Sequence, residues 1–373
     1  MTILTLPTRR DEAWRWADLD ALRAASQSER LSASAEPVFL DLPGDRLVFV
    51  DGVLDEQRSA VRRVNFVNLG ASEHALARHA SGHGWSLRLD RQGIADPVQI
   101  VHVSTGAANH LPGEIVLAED SAAHVVETFV GAGWTNRLTR ITLGHAARLM
   151  RSVRILQDTG FVSLRDEAHV GEGASLVTVV LGAGGMSSRI DGAITLAGQG
   201  AYVEMGGALL TRDEQRQECA VAVHHAAPNG ASHQLWRAVA ADRSQASLAA
   251  RVEVARHAQK TDGEQSLRGI LLHRTATVNL KPELEIFADD VKCAHGATVG
   301  ELDRHALFYL ASRGIAPGQA RAMLTRAFVA DALGRIGDEV VRDAFVADAD
   351  AWLEGALAAP LPLAGGAGGG PVE

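Results

Sequence analysis

The sequence predicts a mainly β protein: a parallel β-helix core, a small mixed and helical lobe before it, and a helical domain after it. Three observations carry that prediction. From about Pro97 to His295, short β-like runs alternate with glycine or polar turns and helical periodicity is mostly absent; examples are Val98 to Val103, Glu114 to Leu117, His124 to Val130 and Leu138 to Leu143. Within this stretch Gly144-His145-Ala146-Ala147-Arg148-Leu149 recurs as Gly171-Glu172-Gly173-Ala174-Ser175-Leu176. It recurs again as Gly198-Gln199-Gly200-Ala201-Tyr202-Val203, two steps of 27 residues with two strand-like runs in each interval. Beyond Gly300 the apolar spacing becomes that of helices. A fixed period of two strands and two turns describes a coil stacked on itself, with the recurrent glycine at a corner of positive φ. Coils spaced ~4.8 Å apart, roughly seven of them, give a rod on the order of 35 Å long. A β-sandwich with chance glycine spacing is the rival fold, and three phased copies speak against it.

In chain order, residues 1–96 form the front lobe. A helix is expected over 8–30, where Trp14, Ala17, Leu19 and Leu22 have partial helical spacing, with Asp11 and Glu12 near its start and Arg23 and Arg30 toward its end. Pro37 to Val53 reads as extended chain around the Pro43-Gly44 turn, and 72–81 as a short helix. The β-helix core occupies 97–299. A helical domain follows over 300–358, its first helix capped by Asp303 and running through Ser312, with Gly314 just past its end. Pro317 sits near the N-terminus of a second helix, with Met323, Leu324, Ala327, Phe328 and Ala332 on one face. Asp338 can cap a third, which carries Val340, Val341, Phe345 and Trp352. Three helices at one end of a rod can cover an open β edge or dock a partner. Residues 359–373, rich in glycine, are expected to be disordered.

Composition narrows the function. With 373 residues the chain can bury a sizeable core, and its formal net charge of −9 offers no electrostatic reason to bind nucleic acid or an anionic membrane. Its two cysteines argue against a disulfide scaffold and fit a reducing compartment. Arginines and acids stand where a signal peptide would need its apolar segment, and no apolar run approaches the ~18 residues that cross a bilayer. A cytoplasmic protein is the expectation.

Chemistry concentrates in Lys281 to Gly300, KPELEIFADDVKCAHGATVG. Cys293 and His295 lie two residues apart in extended chain, so with Val291 they share one face, Cα atoms ~6.5 Å apart, while Lys292 points away. Thiolate and imidazole suit zinc, copper and iron–sulfur species. An isolated intracellular cysteine is most often a small buried hydrophobe, and no partner with ligand spacing completes a cage, so any metal site here is a half-site. Asp289-Asp290 reads as the corner before it. Elsewhere, His224 and His225 point to opposite faces of a strand and cannot share a metal from one side. His102, His110 and His124 meet only if the fold brings them together. Leu181 to Gly185 lacks the Lys-Ser/Thr of a phosphate loop and reads as a turn. No nucleophile elbow, zinc-protease helix or motif-placed carboxylate pair is present.

Longer motifs surround the half-site. Ala258-Gln259-Lys260-Thr261-Asp262-Gly263, Leu271-Leu272, KPELEIFADDVKCAHGATVGELD, LFYLASRGI and ARAMLTRAF, with Glu12-Ala13-Trp14-Arg15-Trp16 in front, resemble the SufD family of the SUF iron–sulfur cluster assembly system, closely so over Ser232 to Leu333. The resemblance implies a right-handed parallel β-helix with helical ends and a non-enzymatic scaffold role. It implies a SufB-like paralogue paired through the terminal strands, where Val291 lies, and a SufC-like ATPase held by the C-terminal helices. On those helices the candidate partner-binding residues are Leu307, Phe308, Met323, Leu324 and Phe328. It further implies a transient iron–sulfur cluster shared with SufB, to which His295 and, secondarily, Cys293 contribute. Two departures from SufB stand out: Arg268-Gly269 replaces a Cys-Asp, and His295-Gly296-Ala297 replaces His-Glu-Ala, so cluster building by this chain alone is not implied. The front lobe is also short for the family. The competing functions are a β-helix enzyme acting on carbohydrate or acyl groups, which needs an acidic or histidine cluster in a groove along the rod, and a homomeric SufB-like scaffold.

Overall fold

The computed structural model describes residues 5–30 and 35–358. The expected disordered tail, 359–373, lies outside the described residues.

The backbone is a β-solenoid of about eight turns with helices toward both termini. Its strands in chain order are β1 (Arg46–Val50), β2 (Val53–Leu54), β3 (Val64–Leu69), β4 (Gly82–Leu89), β5 (Val98–Thr105) and β6 (Asn109–Leu117). There follow β7 (Ala122–Ala132), β8 (Trp134–Leu143), β9 (Arg148–Ile155), β10 (Phe161–Val170), β11 (Ser175–Gly182) and β12 (Ser187–Leu196). The series ends with β13 (Tyr202–Thr211), β14 (Arg216–His225), β15 (Ala231–Ala240), β16 (Gln245–Val254), β17 (Asp262–Leu271), β18 (Thr277–Ile286) and β19 (Lys292–Gly300). Odd strands from β5 onward stack in one parallel sheet and even strands from β4 in the other. The front stretch is built into the same rod: β1 pairs in parallel with β5 and β4 with β6. The two sheets thus begin at Arg46 and Val64, ahead of residue 97.

The 27-residue step of the sequence is the ladder itself. Arg148, Ser175 and Tyr202 are consecutive partners, and the register then lengthens through Ala231, Asp262 and Lys292. The corner differs in detail from the expectation. Positive φ falls two residues after the first glycine, at Ala146, Gly173 and Gly200, and then at Asn229 and Lys260. Each of these residues donates its N–H to a carbonyl of the next coil, from Glu172, Gln199, Pro228, Gln259 and Asp290 in turn. The first glycine is needed for a different reason: a Cβ on Gly198 would lie 2.0 Å from the amide nitrogen of Glu172 in the coil below. Coil stacking, not torsion, selects it.

Between the sheets lies one apolar core, from Leu47 and Phe49 through Ile100, Leu149, Leu176 and Val203 to Leu248 and Leu267. The front helix is shorter than expected. Glu12–Trp14 makes one 3-10 turn, and Asp18 then caps α1 (Leu19–Ser26) by accepting the N–H of Ala21 at 3.0 Å. A capping aspartate with non-helical torsions divides the segment. Between 72 and 81 only Ala77–His79 is helical, as a single 3-10 turn.

Behind the rod come α2 (Arg304–Ser312), α3 (Pro317–Leu333) and α4 (Glu339–Ala358). Asp303 caps α2, Pro317 opens α3 and Asp338 accepts the N–H of Val341 at the start of α4, as the sequence predicts. The buried face of α3 departs from the predicted one. Ala320, Thr325, Val329, Ala332 and Leu333 are buried, Met323 is exposed, and Leu324 and Phe328 are half-buried. The cause is tertiary: α3 and α4 fold back onto the outer surface of the odd-strand sheet, where Val329, Leu333, Val341, Phe345 and Trp352 meet Val179, Leu181, Leu210 and Val239. Val340 stays exposed on the opposite side of α4.

Candidate functional site

The two ends of the rod are finished differently. At the front, β1 is flanked by the two-residue antiparallel β2, and β4 by antiparallel β3. Short antiparallel strands of this kind blunt an edge. At the far end β18 and β19 are the outermost strands of their sheets; among the described residues β18 pairs only with β16, and β19 only with β17. Their outward main-chain groups, and the apolar residues Val278, Leu280, Leu284 and Val291 at the core's edge, mark an unfinished coil.

Cys293 and His295 stand on β19, after a bend at Asp289-Asp290. Register assigns each to a column through the interior. Ser232, Gly263 and Cys293 form one, and Gln234, Gln265 and His295 the next. Burial alternates along β15 and β17 so that 232, 234, 263 and 265 face inward, which gives Cys293 and His295 inward parity. Cys293 is half-buried over the bare Gly263, whose ideal Cβ would be 3.3 Å from Sγ. Burial pushes the Cys293 thiol pKa up, against an opposing hydrogen bond from the Gly263 amide. His295, with no coil above it, is exposed. The end of β19 therefore offers an open imidazole beside a protonated thiol. Among the described residues no group of three or more His, Cys, Asp or Glu converges as a metal cage.

A second surface lies on α2. This helix has no buried residue; Phe308 is 75% exposed and Tyr309 57%, and Leu307 is half-buried. Met323 of α3 is exposed as well. Among the described residues nothing covers this apolar helix face.

The other histidines have structural work. His102 is buried between the rings of Phe49 and Phe129. Its Nδ1 accepts from Arg137 Nε at 3.1 Å and its Nε2 donates to Glu127 at 3.1 Å. His110 bonds Asn136 and His124 bonds Ser152, so the three do not converge. His225 is buried on Ser232 while His224 faces outward toward Glu253. Of Leu181–Gly185, read from the sequence as a turn, Leu181 and Gly182 end β11 and only Ala183, Gly184 and Gly185 lie in the link to β12.

A groove of about 680 Å³ does run along the even-strand sheet beneath Trp14 and Trp16. Its carboxylates are already engaged: Arg189 forms ion pairs with Asp191 at 2.8 Å and Glu218 at 2.9 Å, His74 meets Asp191 at 3.2 Å, and Trp14 covers the guanidinium at 4.2 Å. Burial resists ionisation of Asp191, but Arg189 and His74 outweigh it and hold its pKa far down. These groups lock the N-terminal segment to the rod. Neither this lock nor the paired glutamines in the His295 column has a local sequence signature: the lock joins residues far apart in the chain, and the glutamines are separated by a coil length that varies from turn to turn.

Comparison with known proteins agrees with this architecture. Residues 102–328 match the model of the SUF system FeS cluster assembly SufBD core domain. The chain is 27% identical to the iron-sulfur cluster assembly protein SufD of Escherichia coli, over 92% of this chain and 88% of that protein. It is 28% identical to an iron-sulfur cluster assembly SufBD family protein of Synechocystis, over 89% and 84% respectively. It is also 31% identical to the chloroplastic protein ABCI7 of Arabidopsis thaliana, over 71% and 54%. With the family model spanning more than half of its length and a solenoid in which both sheets end unpaired, this chain belongs to the SufBD family of iron–sulfur cluster assembly proteins.

Proposed function

We propose that the chain is a cytoplasmic, non-enzymatic scaffold subunit of a SUF complex, and that its cargo is a nascent iron–sulfur cluster. The carrying observation is the open end of the rod, where β19, paired among the described residues only with β17, displays His295 beside Cys293 at the edge of an unfinished core. A like strand from a SufB-type paralogue would satisfy the outward N–H and C=O groups of β19 and cover Val291. The same contact would bring the missing ligands to the half-site. His295 is the principal donor because its ring is exposed and has no partner among the described residues. Cys293, held as a thiol by burial, becomes a ligand only when a metal displaces its proton. The bare face of α2, with Leu307 and Phe308, and Met323, Leu324 and Phe328 of α3 would hold a SufC-type ATPase, to which ATP hydrolysis belongs.

The test uses the complex purified with its paralogue and ATPase. His295→Ala should leave assembly intact and lower the iron and acid-labile sulfide retained per complex by about tenfold or more. Cys293→Ser should cost less. Unchanged iron and sulfide in the His295 variant would refute the half-site.

A further inference from the structure

Directly below His295 the interior holds an acceptor with nothing to accept. Gln265, only 1% exposed, is the register partner of His295 on β17. Its amide nitrogen donates across the core to the main-chain oxygen of Glu283 on β18 at 3.2 Å, and its carbonyl oxygen has no hydrogen-bond partner among the described residues. The same device stands one coil lower. Gln234, in register with Gln265, donates to the main-chain oxygen of Arg251 at 3.0 Å, and its carbonyl oxygen is likewise unpaired. Arg251 and Glu283 are themselves register partners. Turning the Gln265 amide over would set carbonyl against carbonyl at Glu283, so the orientation is fixed by that contact. Two successive rungs thus carry a glutamine bridging the sheets. The third rung is His295, and no further coil stands opposite it.

Parallel neighbours in register lie ~4.8 Å apart, which places the Gln265 carboxamide within reach of the His295 ring as it settles over the rod's end. A neutral imidazole has one N–H to donate and one lone pair to give, and a ligating histidine is oriented by the acceptor that takes its other N–H. A buried carbonyl left unpaired is costly and rare. We propose that Gln265 is the positioning residue of the half-site: its carbonyl oxygen accepts the His295 N–H when the partner closes over β19, fixing one tautomer and leaving the other ring nitrogen free for metal. This rests on the half-site described under the proposed function.

Two variants of the full chain, each assembled with its unlabelled paralogue and ATPase, test it: Gln265→Leu, which removes the acceptor, and Gln265→Glu, which keeps one. With ¹⁵N-histidine in this chain alone, and the His295 signal identified by its loss in His295→Ala, the parent complex should show one tautomer. The leucine variant should show a mixture, and the glutamate variant should retain the parent tautomer. Ferrous-iron affinity of the complex should fall about 10- to 100-fold in the leucine variant and recover in the glutamate variant. A single unchanged tautomer in the leucine variant, or undiminished iron affinity, overturns the assignment. Should the leucine variant fail to assemble, a mixed tautomer in the glutamate variant overturns it equally. If His295→Ala itself leaves iron affinity unchanged, the half-site has failed rather than the role of Gln265.

Discussion

Arg151 shows what a single residue does inside this rod. It is 1% exposed, reaches Glu127 through Nε at 2.8 Å and Nη2 at 2.7 Å, and meets Asp166 through Nη1. Burial opposes the charge on Glu127, yet Arg151 and the His102 N–H win and hold its pKa down at about 2. Arg137 closes the network by donating to His102 and to the Asn109 side chain at 2.8 Å. Truncating one member of such a network strands the others in a dry interior. Arg151→Met should therefore lower unfolding stability by about 3–5 kcal/mol, read by chemical denaturation. Adding Asp166→Asn should restore part of the loss. A double variant no more stable than the single one would show that the two carboxylates do not depend on the same cation.

At the scale of elements, the C-terminal helices differ sharply in how they are held. Beyond their apolar face, α3, α4 and the turn between them are tied to the odd-strand sheet by three ion pairs: Arg154 to Asp348 at 3.0 Å, Glu204 to Arg335 at 3.1 Å, and Arg237 Nε to Asp331 at 3.0 Å. Arg237 also donates to the main-chain oxygen of Ser266 on β17, the neighbour of the edge strand, and sits over the Phe328 ring. By contrast α2 owes its form to the Asp303 cap and buries nothing. Charging its exposed face should be harmless to the fold. Phe308→Glu combined with Met323→Glu is expected to shift stability of the isolated chain by less than about 1 kcal/mol, since neither side chain is buried. The same pair should abolish co-purification of the ATPase partner. Loss of thermal stability with partner binding retained would reverse that assignment.

For the molecule as a whole, stacking coils buries imidazoles as well as carbon. Desolvation lowers His102, His110 and His225 each to about 4 from the ordinary 6.5. These rings are neutral in the fold and protonate in the unfolded chain below 6.5, so their contribution to stability is complete above that pH. It is lost as pH falls toward 4, at no more than about 1.4 kcal/mol per pH unit for each histidine. Melting temperature should accordingly fall steadily between pH 6.5 and 4. His225→Gln, which can keep the bond to Ser232, should make that fall shallower. A melting temperature flat across the interval would contradict the neutral buried state.

Local pattern was enough to read the coil. Period-two runs, the 27-residue phase and the helix starts at Asp303, Pro317 and Asp338 are properties of neighbouring residues, and the fold keeps them. The place of Cys293 and His295 on one side of a terminal strand was legible for the same reason, because alternation along a strand is local. What followed from tertiary structure alone was everything set by a neighbour distant in sequence. The buried face of α3 was chosen by the sheet it lies on, the first corner glycine by the coil beneath it, and the lock of Trp14 on Arg189 by a contact between residues far apart in sequence. Gln265 beneath His295 belongs to that second class: only the register between coils, whose lengths change from turn to turn, sets an unpaired carbonyl under an open imidazole.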